Sequence, residues 1–580
     1  MLPFKPLLPP LVVLLLVVVA TLRRTAGAEA APPKSEALGR LGYGLAKICL
    51  LVLPLEWLMQ LVLQGEPLAV SGKAWWLAAM TQTCQLFLLI TGVADVVAGL
   101  AGLKGRYAQE MHHAPLRAGG FADLWRRLMP GLVSGSGAAV QCVPVLVLVA
   151  GTAALWHGTI TGASVWFVLH YLLLMLEGWR RRPLLAPLPP PLRVIGMLLI
   201  LTVSNVLLFS AGLQEALHSW HQMFTDARPT VYSLLLDKRI TSSWLQTALF
   251  LAVLACVALP RLGWLLGLPL LTWRVIGMLL LPVSVLMALR ESPGVHATVR
   301  TVAQWPVSWF FGEGSSQVHL GYDGWLFPQR ELDRRTLRRK DAGLAGPLTS
   351  LAAELKARGI PLMLVAVPAK IAMHPDQMLS AEYPAAVQPP GFKALLDSLT
   401  RAGVDVVDLA PALWSRRVKA PSHYAADSHW TFETMKESAG LVARRIREMH
   451  PGLYVEETPL INATILERST PGDLAVELLP LGAEKMFGLE HAQLVSIRGL
   501  EPGKTSPVLL AGGGLLRVFE EASASFGLGD GVAQRAGFPT QLAALLGRPL
   551  DVRTDLEPPA VLQAASGKKL VVLVVEADRL

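Results

Sequence analysis

Four stretches of this 580-residue chain bring together residue types that could do chemistry. Asp427-Ser428-His429 sets a carboxylate two residues from an imidazole. In a loop, two such side chains can converge. The carboxylate then orients the ring and stabilises its cation while the ring activates a hydroxyl. Helix capping is the competing use, with Asp427 or Ser428 capping a helix that starts near Thr431. Trp156-His157-Gly158 is followed 13 residues after its His by His170, inside an apolar run. A neutral imidazole beside a thioester and a hydroxyl would act as a general base, although packing or hydrogen bonding explains a buried His equally well. Gly512-Gly513-Gly514, with Arg517 three residues on, follows the apolar stretch Val508–Ala511 and could offer backbone N–H groups to an oxyanion or a sugar hydroxyl. Lys370, in Val367-Pro368-Ala369-Lys370, ends another apolar stretch and is a further binding candidate.

No metal centre is expected. The pair His112-His113 has no Cys or carboxylate partner nearby. The four cysteines, Cys49, Cys84, Cys142 and Cys256, form no Cys-x-x-Cys pair and read as small buried hydrophobes. The sequence shows neither a P-loop nor a basic, aromatic surface for nucleic acid.

These stretches must be positioned by two halves of different character. Overall, 52% of residues are hydrophobic and only 16% charged, against about 25% charged in soluble domains. That balance excludes a wholly soluble protein and a disordered one. Residues 1–290 carry repeated apolar runs, near 8–22, 42–63, 80–102, 133–153, 160–178, 194–213, 244–260 and 272–290. A membrane-crossing helix needs about 20 mostly apolar residues, so this half reads as multi-pass, its first 40 residues forming an anchor or signal segment. The net charge of +9 tracks span ends. Arg23, Arg24 and Lys34, the loop with Lys104, Arg106, Arg117, Arg126 and Arg127, then Arg180-Arg181-Arg182, then Arg261 all fall on one side, which retention of basic loops makes cytoplasmic. Lys238 and Arg239 break the pattern. Trp75-Trp76 reads as a membrane-interface pair. The second half then lies outside, after a linker at 296–316.

Strands are expected at Leu362–Val367, Val404–Leu409, Val508–Ala511 and Leu570–Val575, with helices at Arg334–Arg358, Phe392–Ala402, Phe432–His450 and Thr540–Leu546. Short apolar strands alternating with amphipathic helices predict a parallel α/β sheet, with the site at the carboxyl ends of its strands.

The first half, over roughly residues 80–225, resembles the membrane-bound O-acyltransferase family in its polysaccharide-acetylating branch. The resemblance rests on Trp156-His157-Gly158 with His170, on Ala94-Asp95-Val96-Val97-Ala98-Gly99-Leu100, and on Phe121-Ala122-Asp123-Leu124-Trp125-Arg126-Arg127. It implies acyl transfer through the membrane from a cytoplasmic donor such as acetyl-CoA, with His157 catalytic and His170, Asp95 and Trp156 secondary. Leu128 and Met129 stand where that family has a His, and the helical set upstream is expected to be reduced or missing.

The second half, over about residues 315–580, resembles the SGNH-hydrolase-like domain of the alginate O-acetyltransferase family. The matching stretches are Gly321-Tyr322-Asp323-Gly324-Trp325-Leu326-Phe327, Val367-Pro368-Ala369-Lys370, Asp427-Ser428-His429-Trp430-Thr431 and, more weakly, Gly537-Phe538 with Gln541-Leu542-Ala543. The resemblance implies a flavodoxin-like parallel fold over 317–580, with Asp427 as orienter and His429 as base. That family's nucleophilic Ser, in Gly-Asp-Ser, aligns with Gly514, which has no side chain to form an acyl-enzyme. Ser506 and Ser523 are nearby in sequence but stand at other places.

Together these readings predict a bacterial inner-membrane protein: a membrane-bound O-acyltransferase-like region over 41–295 fused to a periplasmic or otherwise extracytoplasmic domain. Its expected job is O-acetylation of a cell-surface or secreted polysaccharide, alongside membrane lipid and other acetylation or export proteins. A catalytically degenerate glycan-binding or scaffold subunit is the first alternative and a lipid-linked glycan transporter the second.

Overall fold

The computed structural model describes residues 14–15, 19, 33–106, 117–128, 142–225, 229–241, 296–338, 345–456, 461–521, 526 and 533–580. The expected spans at 244–260 and 272–290, most of that at 8–22, and His112, His113, Met129, Arg261, Cys256 and Ser523 fall outside them. The chain forms two compact units, Met1–Arg290 and Glu291–Leu580.

The first unit is helical. Its helices are α1 (Lys34–Leu63, with a π-helical stretch at Lys47–Val52), α2 (Gly72–Leu103), α3 (Phe121–Leu128), α4 (Val143–His157), α5 (Ile160–Arg180), α6 (Pro190–Phe209), α7 (Leu213–Phe224) and α8 (Val231–Ile240). Four of them, α1, α2, α5 and α6, are long and apolar enough to cross a membrane. Helix α4 has 15 residues and falls short of that length. Apolar residues run all around α2, as a helix surrounded by other helices requires. Arg239 is no loop charge: it sits buried in the last turn of α8. Trp75 and Trp76 face a protein partner, donating to Gln222 Oε1 and to the Met223 carbonyl of α7.

The second unit opens with α9 (Ala297–Phe311), a helix where a linker was expected; only Gly312–Ser316 is irregular. Strands β1 (Val318–Leu320) and β2 (Leu326–Pro328) form a small antiparallel hairpin, followed by α10 (Gln329–Thr336) and α11 (Ala345–Ala357). The main sheet holds β3 (Leu362–Val367), β4 (Asp405–Asp408), β7 (Val508–Gly512), β8 (Asp551–Arg553) and β9 (Leu570–Glu576), all parallel, in the order β4-β3-β9-β7-β8. Between them, β5 (Asn462–Thr470) and β6 (Glu490–Arg498) make a separate antiparallel ribbon. The remaining helices used below are α12 (Phe392–Arg401), α13 (Phe432–Met449), α14 (Asp473–Leu478), α15 (Phe538–Leu546) and α16 (Pro558–Ala564).

Strand alternation explains the layers. Met363, Val365, Leu510, Val572 and Val574 point to one face and pack with α13 and α15. Leu364, Ala366, Leu509, Val571 and Leu573 point to the other and pack with α11, α12 and α16. The parallel, two-faced sheet is as expected, but the flavodoxin-like strand order is not: the last strand in sequence, β9, lies in the middle. Its residues 570–575 are buried on both faces, which only a central strand allows.

Candidate active site

The loop 422–431 folds back on itself through the His423–Trp430 bridge, Tyr424 N to the His429 carbonyl (3.3 Å), and Thr431 N to the Ser422 carbonyl (2.9 Å). Thr431 caps α13, its hydroxyl accepting from Thr434 N. Asp427 therefore does not cap α13. Its Oδ1 accepts from His429 Nδ1 (2.7 Å) and His429 N (3.0 Å), and its Oδ2 accepts from Asp473 N (3.0 Å).

Burial works against the charge on Asp427, but the hydrogen bond and charge of His429 outweigh it and hold the carboxyl below its ordinary range. Burial likewise lowers the His429 imidazole. The hydrogen bond and charge of Asp427, then the charges of Asp473 and Glu576, overcome this and raise it above its ordinary value. A carboxylate only accepts, so Nδ1 carries the proton and Nε2 of the neutral ring is left as the basic nitrogen. The His429 side chain keeps 32% of its surface exposed, which admits a substrate.

Three of the quoted stretches meet around this loop. Lys370 lies fully buried just beyond the carboxyl end of β3, its Nζ donating to the carbonyls of Ala425 (2.7 Å) and Asp427 (2.9 Å). It also sits over the rings of Trp325 and Phe327, at 5.2 and 5.4 Å. Burial lowers its ammonium to about 8 against the pull of Glu331, Asp427, Asp473 and Glu490. Lys370 thus holds the loop from beneath. Leu326 N also donates to the Ala425 carbonyl, and Trp430 stacks on Phe538. Glu331 receives Ile371 N, and burial with the charge of Asp578 pushes it up to about 8.

Sequence reasoning missed Asp473. It begins α14, accepts from Ser428 N (2.6 Å) and Ser428 Oγ, and brings Oδ2 to 3.8 Å from His429 Nδ1. Gly472 makes this possible: its φ is +92° and a Cβ there would lie 2.2 Å from the Ala426 carbonyl oxygen. The available signal was Pro471-Gly472-Asp473, a turn before a short apolar helix. Asp427, His429 and Asp473 place one ligand atom each within 4.8 Å of one another, but their hydrogen bonds to one another and to Ser428 account for the grouping.

Gly512 ends β7 and pairs with Val574 of β9, whose last residue Glu576 acts on the charge of His429. The glycine turn and the Asp427–His429 pair therefore belong to the same, carboxyl end of the sheet. Gly512 has no room for a Cβ, which would meet Leu516 at 2.7 Å and the Val574 carbonyl at 3.0 Å. A Cβ on Gly514 would meet nothing within 4 Å. Arg517 pairs with Glu521 at 2.8 Å. A cleft of about 540 Å³ opens beside the turn, lined by Leu516, Glu520, Arg535, Arg553 and Asp555 among others. Ser506 precedes β7, at the opposite end of the sheet, with its hydroxyl on the Pro549 carbonyl, so it cannot serve this site.

Residues 318–552 match the family described as SGNH hydrolase-like domain, acetyltransferase AlgX. The C-terminal unit carries an SGNH-like domain of this kind. Curated relatives include a "Probable alginate O-acetylase AlgJ" of Pseudomonas aeruginosa, 29% identical over 30% of this chain and 43% of its own. Another is a "Probable alginate O-acetylase AlgI" of Azotobacter vinelandii, 26% identical over 32% of this chain and 40% of its own. The chain spans less than half the length of these relatives. Among solved structures, the O-acetyltransferase domain of Pseudomonas putida AlgJ is 21% identical, covering 45% of this chain and 91% of its own with a TM-score of 0.33. Pseudomonas aeruginosa AlgX is 17% identical, covering 45% and 62%, with a TM-score of 0.32.

In the helical unit, His157 ends α4 and its Nε2 lies 3.0 Å from Gln82 Oε1, with its ring stacked on Trp156. Trp156 Nε1 donates to Glu56 Oε2 (3.0 Å), a buried acid that sequence reasoning did not single out. His170 is separate: it lies buried in α5, stacked on Trp166 at 4.0 Å and bonded to Ser204 Oγ at 3.0 Å. Asp95 lies about 20 Å along α2 from Gln82 at ~1.5 Å per residue. It is closed in an ion cluster with Lys47 (2.7 Å) and Arg40 (3.2 Å). The structure thus joins Trp156 to His157 and leaves Asp95 to hold α1 against α2.

Proposed function

We propose that this protein O-acetylates a polysaccharide at the cell envelope, with His429 as the base that deprotonates the accepting hydroxyl. The observation that carries this is the Asp427–His429 pair: Nδ1 is locked on a carboxylate and the rest of the ring is open at the carboxyl end of the sheet. The names of the AlgJ and AlgI relatives supply the substrate class. With Gly514 where the nucleophile would stand, no acyl group rests on that position. The sugar oxygen attacks the acyl carbon directly, its proton goes to His429 Nε2, and the donor's leaving group departs. Asp427 stabilises the imidazolium that forms.

On this reading the helical unit delivers the acyl group from an acetyl-CoA-like donor past His157, and the second unit works on the extracytoplasmic side of the inner membrane. The scaffold alternative draws on Gly514: a domain without its serine can still hold a glycan. Mass analysis of surface glycan from cells with and without the protein tests the proposal. Loss of acetyl groups with glycan export unchanged supports it; reduced export with unchanged acetylation would point to transport instead.

A further inference from the structure

Helix α9 turns an apolar stripe outward while its inner side makes polar contacts and buries Ala303 and Val307. On the inner side, Gln304 Nε2 donates to Ser308 Oγ (3.0 Å) and to the carbonyls of Glu313 (3.2 Å) and Gly314 (3.0 Å). Thr301 Oγ1 accepts from Leu481 N (3.3 Å), and Arg300 pairs with Glu477 at 3.6 Å. These contacts, with buried Ala303 and Val307, fix α9 to its own unit. On the outer side stand Val299, Val302, Trp305 and Trp309, exposed by 37, 59, 44 and 61%, the two indoles stacked at 5.4 Å. Their spacing of three or four residues makes one stripe, and no charged side chain interrupts it among the described residues. Leu481, 52% exposed, lies beside it.

An outward apolar stripe needs an apolar neighbour. The sequence supplies one: the apolar run 272–290 ends six residues before α9 starts. Six or seven residues reach at most about 25 Å even when fully extended, so if that run spans a bilayer, α9 starts within this distance of its end. Tryptophan favours the membrane–water interface, and a helix with one apolar face lies in that interface with the face turned to the acyl chains. We propose that α9 is an interfacial helix that docks the SGNH-like domain on the bilayer surface, with Val302, Trp305 and Trp309 among the lipid headgroups and upper acyl chains. The proposal rests on the 272–290 run spanning the membrane and not on any catalytic role.

The test uses the full chain with its four cysteines replaced by alanine, reconstituted in phosphatidylcholine–phosphatidylglycerol vesicles. An environment-sensitive nitrobenzoxadiazole label is placed at Val302→Cys, at Trp309→Cys and, as a water-exposed reference, at Val418→Cys, a position 88% exposed. Nitroxide lipids labelled near the headgroup are expected to quench the first two several-fold more than the third, with blue-shifted emission. Emission at 302 and 309 matching that at 418 would overturn the proposal. So would a blue shift without lipid quenching, which would mean that protein covers the stripe.

Discussion

His429 can accept a proton only while its ring is neutral. Its raised pKa, caused by Asp427, means that the ring is protonated at a higher pH than an ordinary imidazole, near 6.5. The acetyl-transfer rate is therefore expected to fall as pH drops through this raised value. In Asp427→Asn the cause of the shift is gone, so the acid limb of a pH–rate profile should move to lower pH, and the plateau should drop by about 10²–10⁴. The pair itself was legible in sequence because two residues of loop suffice to join them. Asp473 was not, because it comes from 46 residues away through a helix start. Gly514 yields a second prediction at this scale. Since its Cβ would meet nothing within 4 Å, Gly514→Ser should melt within a degree or two of the parent and gain labelling by a fluorophosphonate. An unlabelled, folded variant would show that His429 does not reach that turn.

The loop carrying Asp427 depends on elements that clamp it from both sides. Above it, Gly472 lets α14 start against Ala426. Gly472→Val combines a left-handed backbone with a direct clash and should cost more than the ~1–3 kcal/mol of a strained conformation alone. Gly452, with no atom near its Cβ, should tolerate alanine; paired denaturation curves check both. Below the loop, Glu331 supports Ile371 and so the turn holding Lys370. Its pKa is raised to about 8, so its contribution to stability is full below about 4.5 and is lost as pH rises towards 8. Glu331→Gln stays neutral, and its melting temperature should fall less than the parent's over that window. The four strands read from sequence match to within a residue: β3, β7 and β9 are short runs of buried β-formers, and half-buried β4 is carried by Val406-Val407. The ribbon β5–β6 was not legible, since most residues of β5 are exposed and carry no apolar alternation. Short β8 offered too few residues to show a period.

At the scale of the whole molecule, composition alone shows the drop in apolarity near residue 290, and the chain forms the compact units Met1–Arg290 and Glu291–Leu580. What composition could not show was α9, whose apolar stripe resembles linker sequence until its inward polar contacts are seen. The separation of His157, His170 and Asp95 was equally hidden, because each is a polar group in an apolar run and only packing decides which neighbours it finds. Acetylation through His429 of the second unit is read from the number of acetyl groups per sugar on surface glycan from cells making His429→Ala at parental abundance. The expected result is acetylation no higher than in cells lacking the protein. Parental acetylation in that variant would contradict it.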